Sequence, residues 1–302
     1  MTSLVHIERA QPWLGTIVKI GVQAEDAETA NTAIDAAFAE IALIHRLMSF
    51  HEPFSDVSTI NRNPASVPIP IHPHTAKVLR LAHEISNASE GIFDVTVAPA
   101  LVANGLLPQP QQAPDPDNAA CWRDLDLQES NLVKNRPLWI DLGGIAKGYA
   151  VDVAINTLLQ HTTGQCYVNA GGDLRVERGE PQRIALNVPN HPPDQLPIIE
   201  VADSSVASSA TPAERGAHFD GRSRSPLAQG RFATVMAQRC VIADALTKVA
   251  LSTSPTRVAV LDKFQATALT FHPAEGWLTL GSRVTPSDAV GLARSRQEPS
   301  VC

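Results

Sequence analysis

Cysteine is scarce in this chain. Its four cysteines, at 121, 166, 240 and 302, lie far apart with no C-x-x-C pair, which suggests neither a zinc site nor a disulfide framework. Most are expected to be small buried hydrophobes. No apolar run approaches 18 residues, so no membrane-spanning helix is expected. The opening MTSLVHIERA has no basic segment followed by an apolar one, and no signal peptide or lipobox is visible. That points to the cytoplasm, or to the periplasm if a leader has been removed. Positive charge is also short: 24 Lys and Arg stand against 31 Asp and Glu, a net charge of −7. With no basic cluster, nucleic acid is an unexpected partner. Repeats of fixed period are absent too. What remains is an ordinary globular composition, 44% hydrophobic and 18% charged over 302 residues, enough for one large domain or two.

Residues 4–8 and 16–22 alternate as strands do, and 25–48 is alanine-rich with apolar residues at helical spacing. SFHEPFSDVSTIN (49–61) reads as a polar loop with a short turn, 74–88 as a helix, and 91–106 as a buried segment entered by a turn. The Pro/Gln/Asp-rich stretch 106–118 reads as a surface excursion. Two short strands are expected between 122 and 142, a helix over 145–160, and a hairpin in CYVNA-GGD-LRVER. Residues 203–229 have no single pattern. RFATVMA then reads as a strand, VIADALTKVALS as a helix, and 257–261, 266–271 and 276–280 as short strands. Long helices with hairpin-linked strands favour an α+β fold over a regularly alternating one.

The stretch IDLGGIAKGYAVD (140–152) places three glycines and Lys147 at the mouth of a helix. Unpaired amides and the helix dipole favour anions there. It is not a P-loop, because Lys147 precedes Gly148 and Tyr149 stands where the magnesium-binding hydroxyl belongs; nor does it have the dinucleotide G-x-G-x-x-G spacing. A plain strand, turn and helix with a solvated lysine remains the competing explanation.

Other clusters sit in apolar surroundings. Asp244 interrupts the apolar helix VIADALTKVAL, and Thr247 and Lys248 fall on its face. That is either a surface Asp–Lys pair or a helix-borne site for a hard cation such as magnesium. Asp94 and Thr96 lie two apart in GIFDVTVAP, where an aspartate also commonly serves a turn. Ser49, Ser55, Ser58 and Asn61 crowd one loop, capping being the ordinary use of such serines. ERGAHFDGRSR gathers Arg215, His218, Asp220 and Arg222, cations for a phosphate beside two candidate general bases.

Taken in order, WLGT (13–16), SFHEPFSDVSTIN (49–61), GIFDVTVAP (91–99), IDLGGIAKGYAVD (140–152), VNAGGD (168–173) and ADALTK (243–248) resemble the successive motifs of the ApbE-type FAD:protein FMN transferases. The resemblance runs from about residue 12 to 282. It implies a single α+β domain over 1–285, mostly antiparallel sheets packed with helices, and a flexible tail over 286–302. It further implies magnesium-dependent cleavage of FAD, with FMN passed to a Thr or Ser hydroxyl of an acceptor flavoprotein and AMP released. By similarity Leu14, Asp94, Thr96, Gly143, Lys147 and Tyr149 fall at flavin- or nucleotide-binding positions. The Ala146 carbonyl, Asp244 and the hydroxyl position next to Lys248 fall where the metal is held, and His218 or Asp220 would be the base.

This chain departs from the family pattern at four places. Leu14 replaces the usual methionine. Lys248 stands where a threonine is usual, so that either Thr247 takes over or the ammonium occupies the metal's place. HFDGRSRSP replaces H-x-x-D-P-x-T-G, and ASSA (207–210) replaces Ala-Thr-Ser-Gly. Because these changes cluster on the catalytic side, FAD binding without turnover and hydrolysis of FAD to FMN and AMP are the alternatives to transfer.

Overall fold

The computed structural model describes residues 4–189, 192, 196–211 and 218–281. Arg215 and the segment 286–302 lie outside the described residues. The chain opens with two long antiparallel strands, β1 (Val5–Trp13) and β2 (Thr16–Ala24), joined by the turn Leu14–Gly15. Both turn residues have positive φ, 56° and 72°, as the hairpin turn that matches strand twist requires. Glycine adopts it freely, and Leu14 at a cost of about 1 kcal/mol. Helix α1 (Ala27–Met48) starts at Asp26, whose carboxylate accepts the Thr29 N–H at 2.7 Å.

The expected loop after α1 contains a helix, α2 (Asp56–Arg62), capped by Ser55, whose hydroxyl accepts the Ser58 N–H at 3.0 Å. Seven residues are too few to show a helical period. Then come β3 (Ile69–Pro70), α3 (Pro73–Ala88), a 3₁₀ turn at Val95–Val97, α4 (Ala98–Ala103), a second 3₁₀ turn at Trp122–Asp124, β4 (Leu125–Leu127) and β5 (Asn131–Lys134). The second half holds α5 (Ala146–His161), β6 (Cys166–Ala170), β7 (Asp173–Glu177), β8 (Gln182–Ala185), β9 (Ile198–Val201) and β10 (Ser204–Ala210). After these come β11 (Phe219–Asp220), β12 (Ser225–Pro226), β13 (Phe232–Ala237), α6 (Cys240–Leu251), α7 (Arg257–Lys263), β14 (Thr267–His272) and β15 (Gly276–Leu280).

Eight strands form one sheet in the order β1-β2-β6-β7-β10-β13-β14-β15, antiparallel at every pairing. Helices α1, α5 and α6 pack on one face, over the main core. A smaller core on the other face takes in Leu186, Val188, Ile199 and Val201 from the β8–β9 region. Strand β13 serves both: Ala233 and Val235 turn to the helices, Phe232 and Met236 to the smaller core, as a period of two demands.

Two expectations change. The segment 257–261 is helix, not strand: Val258 is exposed while Val260 and Leu261 are buried, whereas in a strand Val258 and Val260 would share a face. Part of the patternless 203–229 region is β10, an inner strand between β7 and β13. Its Ser and Ala side chains carry little strand propensity, and pairing on both edges decides the outcome.

Candidate functional site

Helix α5 is aimed by the segment before it. The buried Asn61 side chain, on α2, clamps Ile140 from both sides, donating to its carbonyl at 3.0 Å and accepting its N–H at 2.7 Å. The Asp141 N–H donates to the Val95 carbonyl at 2.8 Å, which ties the loop to the 3₁₀ turn. At the mouth of α5 the amides are largely engaged: Ala146 N–H donates to the Leu142 carbonyl at 2.8 Å, and Gly148 N–H to Asp244 Oδ2 at 3.0 Å. The second bond requires a glycine. A Cβ at 148 would lie 2.8 Å from Asp244 Cβ and closer still to the Cys240 carbonyl, so α5 and α6 touch at that point.

Around this seam lies a buried charge cluster. Every residue of α6 is buried, Asp244 among them, which removes the surface-pair explanation. Asp244 Oδ1 accepts from Lys248 Nζ at 2.6 Å, and the Asp244 carbonyl accepts from the same ammonium at 3.0 Å. Lys147 Nζ lies 3.6 Å from Asp244 Oδ2 and donates to Asp173 Oδ2 at 2.6 Å. Burial opposes the charge on Asp244, but Lys147 and Lys248 outweigh it and hold the carboxyl well below the usual range. Burial likewise opposes the charge on Lys147, and the carboxylates of Asp244 and Asp173 override it and raise its pKa. Asp173 is pushed up to about 6 by burial and by Asp244.

The opposite wall differs. Asp94 caps the 3₁₀ turn, its Oδ1 accepting from the Thr96 N–H and hydroxyl, each at 2.8 Å. Its Oδ2 is buried with no hydrogen-bond partner; the Arg224 guanidinium stands 3.7 Å away. Arg224 itself donates to the Thr96 carbonyl and hydroxyl and to the Ala120 carbonyl. Burial raises the Asp94 pKa. His218 completes this wall, its pKa pushed down to about 3 by burial and by the ammoniums of Lys248 and Lys147.

Between the walls run two chambers that meet at Asp141, Gly143 and Lys147. One, of about 240 Å³, is lined by Phe93, Asp94, Ser209, His218 and Lys248 among others. The other, of about 370 Å³, is lined by Leu14, Met48, Phe50, His51 and Ala146 among others.

Of the residues expected from the sequence, Leu14, Asp94, Gly143, Ala146, Lys147, His218 and Lys248 therefore converge on one cleft. Asp244 lies behind it, holding both lysines, and Thr96 beneath it, holding Asp94. Three fall elsewhere. The Tyr149 hydroxyl is 2.7 Å from His74 Nδ1 on α3, and Tyr149 lines neither chamber. Asp220 is forked by Arg222, with Nη2–Oδ2 at 2.6 Å and Nε–Oδ1 at 3.0 Å, which lowers its pKa against burial, and it lines neither chamber. Thr247 is fully buried, its hydroxyl donating to the Asp244 carbonyl at 2.7 Å and 2.9 Å from Ser209 Oγ. Sequence reasoning passed over Asp141, Asp173 and Ser209. The two aspartates each lie within two residues of a glycine pair, Asp141 before Gly143–Gly144 and Asp173 after Gly171–Gly172, and that proximity is the available signal.

The expected magnesium site does not fit these residues. A divalent ion needs a near-octahedral set of oxygens. Here one Asp244 oxygen and the Asp244 carbonyl already accept from Lys248, the other carboxylate oxygen accepts from Gly148 N–H, and Thr247 is turned away. Among the described residues no group of three His, Cys, Asp or Glu side chains is arranged to hold a metal ion. No helix among them is long and apolar enough to cross a membrane.

The fold and site together define an α+β protein with a two-chambered cleft that carries Lys147 at its waist and Lys248 in one chamber. The model of the ApbE family matches residues 14–270, and the chain belongs to that family. Among curated proteins it is 30% identical over 198 residues to the FAD:protein FMN transferase of Vibrio cholerae, covering 61% of this chain and 58% of that protein. It is 26% identical to that of Chlamydia pneumoniae, covering 83% and 85%. Among solved structures, the flavin transferase ApbE from Vibrio cholerae superposes with a TM-score of 0.79 at 25% identity, over 93% of this chain and 98% of that one. The apo flavinyl transferase ApbE of Pseudomonas stutzeri, at 21% identity and a TM-score of 0.78, shares the fold over 92% and 95%.

Proposed function

We propose that this protein is an FAD:protein FMN transferase, moving FMN from FAD to a Ser or Thr hydroxyl of an acceptor protein with release of AMP. The observation that carries it is the cleft itself, with Lys147 where its two chambers meet and Lys248 lining one of them. FAD has two bulky ends joined by a doubly charged diphosphate, and that division matches two chambers joined at Lys147. Leu14 and Phe50 supply apolar surface on one side, and Phe93 and Val95 on the other, beside the Asp94 carboxyl.

In the reaction the acceptor hydroxyl oxygen bonds to the FMN phosphorus. The bridging P–O bond breaks, and AMP leaves with its electron pair. Lys147 and Lys248 offset the charge that builds on the leaving phosphate, in a partly dry site where such pairing counts most. The hydroxyl proton needs an acceptor. His218 is that group, neutral at physiological pH and facing the chamber that Lys248 lines. Asp220, spent on Arg222, is not.

The test is incubation with FAD and a threonine-bearing acceptor domain, followed by mass spectrometry of the acceptor. Gain of one FMN, with AMP in solution, is the expected result. Bound but unaltered FAD would make the protein a flavin carrier, and free FMN with AMP a hydrolase.

A further inference from the structure

We propose that the Lys248 ammonium is a built-in replacement for a divalent cation, so that this protein binds and positions the FAD diphosphate without metal. The inference rests on the transferase reading of the cleft. Its footing is geometric. The ammonium, which lines the cleft, sits on two oxygens of Asp244 behind it, Oδ1 at 2.6 Å and the main-chain carbonyl at 3.0 Å. It lines the chamber that also holds His218 and Ser209. An ion brought to those oxygens would have to displace a buried, twice-bonded ammonium of the same sign.

A second observation is independent of Asp244. Gly144 faces the Lys248 stem: a Cβ there would lie 3.4 Å from Lys248 Cε. The Lys248 stem thus packs alongside Gly144 at ordinary contact distance, which places the ammonium against the loop that opens α5. Thr247, one residue earlier on α6, does not take the role, since its hydroxyl is committed to Ser209 and to the Asp244 carbonyl. An ammonium is a point charge with three donors. Two go to Asp244, and the third is available to a phosphate oxygen entering the chamber. Lys248 thus supplies one fixed positive charge and one directed hydrogen bond. A metal would supply two charges and a coordination shell, and Lys147 beside it provides the second charge.

The experiment measures FAD affinity of the full chain by flavin fluorescence, in 5 mM Mg2+ and in EDTA, alongside calorimetric titration with Mg2+ alone. The wild-type dissociation constant is expected to be the same in both media to within about twofold, with no heat of Mg2+ binding. In Lys248→Thr, affinity in EDTA is expected to fall about tenfold, the worth of one charge-assisted hydrogen bond, and Mg2+ to restore it. Thermal melting of the variant checks that it folds, and the wild-type comparison stands without it. Wild-type binding that collapses in EDTA, or a Lys248→Thr variant indifferent to Mg2+, overturns the inference while leaving the FAD site intact. Failure of the wild type to bind FAD in either medium overturns the transferase reading instead.

Discussion

On the α5–α6 wall of the cleft Lys147, Lys248, Asp173 and Asp244 are all in close ion pairs, whereas on the facing wall Asp94 keeps a buried oxygen with no hydrogen-bond partner. The paired wall is finished before any ligand arrives. Its geometry is fixed by two helices in contact at Gly148 and by bonds that a diphosphate need not remake. The Asp94 wall is unfinished, with a buried acceptor held open by Thr96 and only loosely neutralised by Arg224. The contrast separates two tasks: charge balance is built into the paired wall, and an incoming donor has a place on the other.

Removing the keystone of the paired wall should have the largest effect. Asp244→Ala leaves two ammonium groups facing one carboxylate in a buried site, and is expected to cost about 3 kcal/mol of folding stability, read as a lower urea midpoint. A loss below about 1 kcal/mol, the range of exposed pairs, would mean that the wall is not preorganised. Asp94→Asn should do the reverse, changing stability little at neutral pH while weakening FAD binding about tenfold, the worth of one hydrogen bond to a charged group. Because burial raises the Asp94 pKa in the folded state, the wild type binds the proton more tightly folded than unfolded. Its stability therefore falls as pH rises from the ordinary carboxylate value through the raised one, and Asp94→Asn should lose that slope. An unchanged slope or unchanged FAD affinity would remove the distinction between the walls. At His218 the comparison is read at acid pH and not at neutral pH, where its removal has the smallest effect. Its folded pKa of about 3, against 6.5, means that the unfolded chain binds more protons between those values. Stability should thus rise with pH across that window, and His218→Gln should flatten the rise in denaturation curves taken from pH 4 to 7.

Much of the paired wall is legible in the sequence, because its parts obey short-range rules. Asp244 and Lys248 are four apart on an apolar helix, and Lys147 follows a glycine pair. The errors are instructive in the same terms. Tyr149 is two residues from Lys147 on α5, about 200° around the helix, so if Lys147 faces the cleft Tyr149 faces away, toward α3. Asp220 has Arg222 two residues on, within one short hairpin, and a local partner claims its carboxylate before a substrate can. The Asp94 wall depends on Arg224, 128 residues away from Thr96, a pairing that only the complete fold brings about. The magnesium expectation has a simpler origin: the motif is read by position, and at position 248 the side chain is an ammonium.

The close approach at Gly148 has an evolutionary corollary. Any descendant that gains a methyl group there must push α6 outward, and its acid at 244 then loses the amide beneath it. A lineage that abandons glycine at 148 should therefore be found to have abandoned aspartate at 244, whereas one that loses only the aspartate still needs the glycine against the Cys240 carbonyl.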